Sequence, residues 1–343
     1  MAQLVEINQV GKREDLRDFI SLIDMKEKPL LAMIPKLPDQ KNMTVNWQAD
    51  LYATPITAGV ADGQDVDAYE NAAANRALLT NRGQKFRRTA MVGDLAENVS
   101  NVAGAKAGEL ARSIDKKLEE IGRDIEATLC SDNVTQIETG PATPYKTHGL
   151  GIFFGTTWSG QDATDVPANF RPVSLQVNTT TNPTEDADFR EVVRRTFINY
   201  GKRQGMVLLC GTKLKANVTN YTQISSGATS TFSPVRAYTE DLAGQTVTND
   251  IRYYNGDFGD IELHVSLLLN VDTTAGPAAI QGDQRRGYIF PIESLGLTFN
   301  RAPRVMRLPD MGGGPRALVD AVCCLVVKNP LASGQFKPTA DRT

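Results

Sequence analysis

The sequence predicts an α+β protein, because its helix patterns and strand patterns occupy separate stretches of the chain instead of alternating. A long amphipathic helix pattern covers about residues 104–131, whereas strand patterns at 206–210, 261–267 and 317–327 follow in the C-terminal half. The chain has 343 residues, of which 41% are hydrophobic. That length is enough for a sizeable core and predicts roughly two domains or one elaborated domain.

The N-terminal region predicts an arm with little core of its own. Leu16, Phe19, Ile20 and Ile23 recur at helical spacing in a charged stretch, which predicts one short helix before Pro29. The apolar, proline-bounded segment that follows is too short for another helix, so we expect it to lie as a strap. The arm packs on the main domain or reaches a neighbouring subunit.

Residues 43–92 predict a long two-stranded hairpin. Val45, Trp47 and Leu51 alternate with polar residues, which is the period of a half-buried strand, and the Asp62-Gly63 pair supplies turn chemistry at the tip. The predicted hairpin is longer than its own domain can cover. We therefore expect the hairpin to lie over a neighbouring subunit.

Charges in this stretch are separated by sign. Residues 50–75 carry five acids and no base, while residues 76–90 carry five bases and no acid. Two interpretations stay open: the limbs neutralise each other across the ladder, or they also meet complementary patches on adjacent subunits. The candidate inter-subunit contact residues are Leu16, Phe19, Ile20, Trp47, Asp62, Asp65, Asp67, Glu70, Arg76, Arg82, Lys85, Arg87 and Arg88.

The next element is the strongest local pattern, a long helix with one apolar face. The residues of that face are Leu110, Ile114, Leu118, Ile121, Ile125 and Leu129, with spacings of three or four. From about residue 104 the helix is about 40 Å long at 1.5 Å per residue. We expect it to lie across a sheet as a spine, with acids such as Asp115, Glu119 and Glu126 in solvent.

Beyond the spine, residues 133–183 are rich in Thr, Gly, Pro and Asn, with one strand candidate at 150–154. A helix capped by Thr184 or Asp186 is expected to end at Gly205, followed by a buried strand at 206–210 and a short helix near 212–221.

The C-terminal part predicts strands joined by turns. Asn255-Gly256 indicates a hairpin, and a strand is expected near 288–292. We expect the glycine run at 311–315 to be a flexible link and the apolar run at 317–327 to be a strand covered on both faces.

Composition and motifs argue against several functions. The 37 Lys and Arg against 40 Asp and Glu leave a net charge of −3, which disfavours a nucleic-acid coat. The sequence has no apolar run of membrane-spanning length and no signal-peptide pattern, so we expect synthesis in the cytosol without a membrane partner. The two histidines have no ligand-spaced neighbours, and phosphate-binding and nucleophile-elbow motifs are missing. We therefore expect no enzyme, no metal and no cofactor.

The four cysteines are expected to be reduced core thiols, because no CxxC spacing occurs. Cys130 is the exception to be tested. It ends the spine helix beside polar residues, where exposure would let it form a disulfide with a neighbour after cell lysis.

Short strings in a fixed order carry a resemblance to a known family. They are Gly11-Lys-Arg-Glu-Asp-Leu16 with Asp18-Phe-Ile20, Lys28-Pro-Leu-Leu-Ala-Met-Ile-Pro35, Trp47 with Asp50, Asn81-Arg-Gly-Gln84, Leu110-Ala-Arg112, Arg123-Asp-Ile-Glu126, Phe189 to Gly205, Asp257-Phe-Gly-Asp260, and Val326-Val-Lys-Asn329 with Ala332 and Gly334. In this order the sequence resembles tailed-bacteriophage major capsid proteins of the HK97-like fold. The resemblance extends from about residue 11 to residue 336.

The resemblance implies an architecture along the chain. Its parts are an N-terminal arm (1–42), an extended hairpin loop or E-loop (43–92), a spine helix with a peripheral domain (93–184), an axial domain (185–300), and a return to the peripheral domain with a C-terminal strand (301–343).

The resemblance also implies a function. Copies would form the hexamers and pentamers of an icosahedral head around double-stranded DNA held without specific binding. Further implied partners are portal, scaffold and cement or decoration proteins, and the implied location is the virion. Two alternatives remain, a shell of an encapsulin-like nanocompartment around a cargo protein, and a soluble enzyme.

Overall fold

The computed structural model describes residues 27–66, 69–71, 73–98, 108–156, 158, 164–179, 184–221, 223–225, 232–234, 237–241, 244–248, 251–271 and 282–339. Within these ranges the chain forms two compact units. The smaller unit includes residues 87–121 and 303–320, and the larger unit includes residues 27–86, 122–302 and those from 321 onward.

The α-helices whose bounds the structure describes are mostly short. They are α1 (Pro29–Met33), α2 (Asp94–Asn98), α3 (Glu109–Leu129), α4 (Leu150–Phe153), α5 (Asp186–Tyr200) and α6 (Thr212–Asn220). The predicted N-terminal helix with Leu16, Phe19, Ile20 and Ile23 on one face lies outside the described residues.

The strands follow in chain order. They are β1 (Thr44–Ala49), β2 (Ala77–Arg82), β3 (Gln84–Met91), β4 (Val177–Asn178), β5 (Met206–Cys210), β6 (Gln223–Ser225), β7 (Phe232–Pro234), β8 (Ala237–Asp241), β9 (Gly244–Thr248), β10 (Tyr253–Gly256), β11 (Gly259–Val265), β12 (Gly287–Pro291), β13 (Leu295–Leu308), β14 (Arg316–Val327) and β15 (Gly334–Phe336).

A six-stranded mixed sheet forms the centre of the larger unit, with the order β10-β11-β5-β12-β15-β4. Strand β5 lies parallel to β11 and antiparallel to β12. All five residues of β5 are buried, as its continuous apolar sequence predicts, and Phe189, Val192 and Val193 of α5 pack in the same core. The helix therefore covers one face of the sheet with a single apolar stripe.

The sheet extends beyond the predicted axial segment. Strand β4 comes from before residue 185 and β15 from after residue 300, and the two lie beside each other at one edge. Chain order does not show that pairing, because the partners are far apart in sequence.

Helix α3 confirms the predicted long helix from Glu109 to Leu129, and residues 99–107 lie outside the description. The Glu97 carboxylate accepts a hydrogen bond from the Leu110 N–H at 3.1 Å, which supplies a partner at the first turn. Of the predicted apolar face, Ile121 and Ile125 are fully buried, whereas Leu118 is only half-buried. In the smaller unit the helix packs through Leu110 against Ala90 and Ala317.

Two predicted extended segments are short helices instead. Residues 150–153 form α4, where an extra Cβ on Gly149 or Gly151 would approach Ser131 O to 2.1 Å or Asp132 Oδ1 to 1.8 Å. The strap is helix α1, with Pro29 in the first turn where its missing N–H costs nothing. Short apolar runs do not distinguish strand from helix by periodicity.

At two glycine-containing segments, the C-terminal end of α5 and the glycine run after β13, the structure differs from the sequence prediction. Helix α5 ends at Gly201, whose φ of 77° is the left-handed conformation of a C-terminal cap, and not at Gly205. The glycine run after β13 is organised by Asp310, whose Oδ1 accepts hydrogen bonds from the N–H groups of Gly312, Gly313 and Gly314 at 2.8, 3.2 and 3.1 Å. The expected flexible link is therefore a defined turn.

All four cysteines are buried and free, so the expectation that Cys130 is exposed is wrong. The Cys130 side chain is 0% exposed, and burial raises its pKa well above the ordinary value. Burial also raises the pKa of Cys210 and of Cys323 to about 12. These thiols are core groups with little thiolate at neutral pH.

Candidate subunit interface

The hairpin predicted at 43–92 has its ladder between β1 and β2, in antiparallel register from Thr44 opposite Arg82 to Ala49 opposite Ala77. Strand β3 follows after Gly83 but belongs to a different sheet, of order β13-β14-β3. The hairpin is thus residues 44–82, shorter at its second limb than predicted.

Trp47 anchors the hairpin root to the larger unit. Its indole Nε1 donates a hydrogen bond to Val327 O at 3.1 Å, and its ring centroid lies 6.4 Å from that of Phe153. This candidate contact residue is therefore mostly used inside its own chain, and only a minor part of its surface is exposed.

A buried polar network continues the anchor at the end of β2. The Asn81 side-chain amide donates to Leu325 O at 2.6 Å and to Thr147 Oγ1 at 3.1 Å, and its oxygen accepts from the His148 N–H at 2.9 Å. Every one of these partners lies more than 60 residues away in sequence. The network holds the hairpin root in one position.

Arg82 is a fold residue, which corrects its assignment as an inter-subunit contact. Its guanidinium donates to both oxygens of Asp165, at 2.5 and 3.2 Å, and to Thr135 Oγ1 at 3.2 Å. The side chains of Arg82 and Asp165 are only 5% and 4% exposed. His148 Nε2 lies 3.5 Å from the same carboxylate. No neighbouring subunit can reach a guanidinium enclosed in this way.

The segment beyond the ladder exposes large apolar side chains. Those with at least 68% exposure are Tyr52, Ile56, Val60, Val66 and Tyr69. Several large apolar side chains exposed in one segment are typical of a surface that is covered in an assembly. Sequence reasoning missed them because they follow no strand or helix period; their signal is large apolar residues within a stretch of turn formers.

The charges of the hairpin are only partly neutralised within the chain. Arg76 Nε lies 3.1 Å from Asp50 Oδ2, at the point where the ladder ends. Asp62, Asp65 and Glu70 are exposed and form no ion pair with any residue that the structure describes. Mutual neutralisation of the limbs therefore explains one pair, and the distal acids remain open for a partner.

The remaining candidates are placed as follows. Arg88 Nη1 lies 3.8 Å from Glu120 Oε2 and is partly exposed, while Lys85 and Arg87 are exposed on β3. Leu16, Phe19, Ile20 and Asp67 lie outside the described residues.

The described ranges contain no cluster of three or more His, Cys, Asp or Glu side chains arranged to hold a metal ion. None of the described helices combines the length and apolar character needed to cross a membrane.

Comparison with known proteins places this architecture among phage capsid proteins. The capsid asymmetric unit of Cyanophage A-1(L) has a TM-score of 0.63 at 13% identity, covering 98% of this chain and 100% of that chain. The capsid of a native GTA particle has a TM-score of 0.59 at 11% identity, with 98% of both chains covered. Mycobacterium phage Bobi has a TM-score of 0.56 at 10% identity, covering 99% of this chain and 100% of that chain. Among curated proteins, no relative is detected by sequence.

At such low identity the structural likeness establishes the fold, which is the HK97-like α+β fold expected from the resemblance. A match to a family model establishes the family. It is described as the SU10 major capsid protein and matches residues 4–340, nearly the whole chain. The family is a structural one, not an enzyme family, and nothing in the comparisons supports the nanocompartment alternative. The chain belongs to the SU10 major capsid protein family and is a self-assembling shell subunit of a bacteriophage head.

Proposed function

We propose that copies of this chain form the hexamers and pentamers of a closed icosahedral head around double-stranded DNA, with the hairpin of each copy lying over a neighbour. The observation that supports this is the distal hairpin segment between β1 and β2, where the side chains of Tyr52, Ile56, Val60, Val66 and Tyr69 and the acids Asp62, Asp65 and Glu70 are exposed. Burying apolar surface stabilises an interface by about 25 cal/mol per Å².

The root of the hairpin supports the same proposal. Trp47, Asn81 and Arg82 are tied to residues far along the chain, so the segment projects from a rigid base. A rigid base reduces the entropy lost when the distal segment docks on a second copy.

We propose synthesis and assembly in the host cytoplasm, with portal, scaffold and cement proteins completing the head. The packaged DNA is held by confinement and counterions, because a chain of net charge −3 does not supply a dense basic lining. Mass spectrometry of purified heads identifies the accompanying proteins.

The test removes apolar contacts that the isolated subunit does not use. Ile56→Ser combined with Val60→Ser is expected to leave the thermal midpoint of the free subunit unchanged and to abolish closed shells in electron micrographs. Thr57→Ala, at an exposed polar position of the same loop, is the matched control and is expected to assemble normally. Normal shells from the double variant would show that the distal hairpin is not an assembly contact.

A further inference from the structure

Glu126 is a buried carboxylate that joins two segments 96 residues apart. It lies on α3 with a side chain that is 0% exposed. Its Oε1 accepts the Leu30 N–H at 3.0 Å and its Oε2 accepts the Leu31 N–H at 2.8 Å. Leu30 and Leu31 are the second and third residues of α1, and the N–H groups of this first turn have no partner within the helix. The expectation that Glu126 lies in solvent is therefore wrong, and its carboxylate caps another helix.

The surroundings of this carboxylate are specific. Ser266 Oγ lies 3.5 Å from Oε1. The titratable groups that face it among the described residues are Lys28, at the start of the strap, and Cys130, directly after the last residue of α3. Gly122, one turn earlier, leaves room for Lys28, since a Cβ there would lie 3.0 Å from Lys28 Cδ.

We propose that Glu126 is a proton-dependent latch, which holds the strap of residues 28–34 against α3 and thereby fixes the segment that leads from the N-terminal arm into the body of the subunit. The latch does not depend on the assembly proposed above. Its contacts all lie within the larger unit, and Leu30 and Ile34 of the strap are buried.

The direction of the proton dependence follows from burial. Burial raises the pKa of Glu126 above its ordinary value, although the backbone N–H groups of Leu31 and Leu30, the Ser266 hydroxyl and the charge of Lys28 oppose that change. When the strap opens, the carboxyl regains the pKa of a solvated glutamate. The closed form therefore binds the proton more tightly, so acid favours closure and the latch weakens as pH rises through the pKa of the closed form.

Hydrogen exchange of the Leu30 and Leu31 amides in the unassembled full chain tests the latch between about pH 4.5 and pH 8, with the buried Leu208 amide as internal reference. Relative to Leu208, the two amides are expected to lose protection as pH rises. Glu126→Gln is expected to remove this pH dependence and to lower protection on the order of tenfold, because its NH₂ group cannot accept one of the two N–H donors. Glu119→Gln, at an exposed position of the same helix, is expected to keep the original profile.

A second variant separates the latch from a general loss of folding. Ser266→Ala removes a hydrogen bond to the charged carboxylate, so the midpoint of the pH profile is expected to move to higher pH. A wild-type profile independent of pH, a pH dependence that persists in Glu126→Gln, or an unmoved midpoint in Ser266→Ala would each overturn the proposal.

Discussion

Replacing Arg82 by alanine is expected to destabilise the subunit strongly, because it removes the nearest counter-charge of the buried Asp165 carboxylate. The guanidinium makes two hydrogen bonds to that carboxylate and a third to Thr135, and both charged side chains are at most 5% exposed. Breaking one partner of such a pair costs about 3–5 kcal/mol. A typical domain has a total stability of about 5–15 kcal/mol, so the loss is a large fraction of it.

Urea unfolding monitored by tryptophan fluorescence measures this loss of unfolding free energy near the hairpin root. The chain has two tryptophans, and both lie near the hairpin root: Trp47 against Phe153, and Trp158 with its ring centroid 6.2 Å from that of His148. At a slope of about 1–3 kcal/mol per molar urea, a loss of about 3–5 kcal/mol is expected to lower the midpoint by roughly 1–5 M.

Two further variants separate the buried charge from charge in general. Arg87→Ala removes an exposed arginine nearby in the sequence and is expected to change stability by less than about 0.5 kcal/mol. Arg82→Met combined with Asp165→Leu is expected to regain much of the loss, since an apolar pair avoids desolvating two charges. An Arg82→Ala midpoint equal to that of Arg87→Ala would refute the reasoning.

Three other outcomes follow from burial and close packing. Ile125→Ala is expected to cost about 2–5 kcal/mol in urea unfolding, and clearly more than Leu118→Ala, because only Ile125 is fully buried; equal costs would place the wrong face of the helix inward. Gly149→Ala is expected to lower the thermal midpoint, because its Cβ would lie 2.1 Å from Ser131 O; an unchanged midpoint would mean that the backbone moves away freely. All four thiols are expected to resist a thiol reagent at pH 8 until the subunit unfolds, because burial raises the pKa of Cys210 to about 12 and also raises the pKa of Cys130, Cys323 and Cys324 above the ordinary value; rapid labelling of the native subunit would contradict this.

The charge pattern of the sequence predicted the exposed hairpin correctly and the position of Arg82 incorrectly. Charge segregation pointed to the hairpin, and the structure leaves the distal acids exposed, yet the same pattern placed Arg82 on the surface. An arginine in a basic run looks the same whether it lies in solvent or against a buried acid. Asp165 is 83 residues away in sequence, and nothing local announces it.

The long helix and the buried strands β5 and β14 were determined by the sequence alone, because periodicity and continuous apolar runs act between near neighbours. The Asn255-Gly256 signal predicted the hairpin of β10 and β11 but not its turn, because these two residues pair within the ladder and the turn residues are Asp257 and Phe258. The order of short sequence strings was enough to predict the capsid-protein family, and the family model confirms that prediction. Only the tertiary structure decided that Glu126 is buried, that β15 lies between β12 and β4, and that residues 150–153 form a helix. Each of these depends on a partner from a distant part of the chain, and the free energy of burying a polar group or pairing a strand is set by that partner, not by the residue itself.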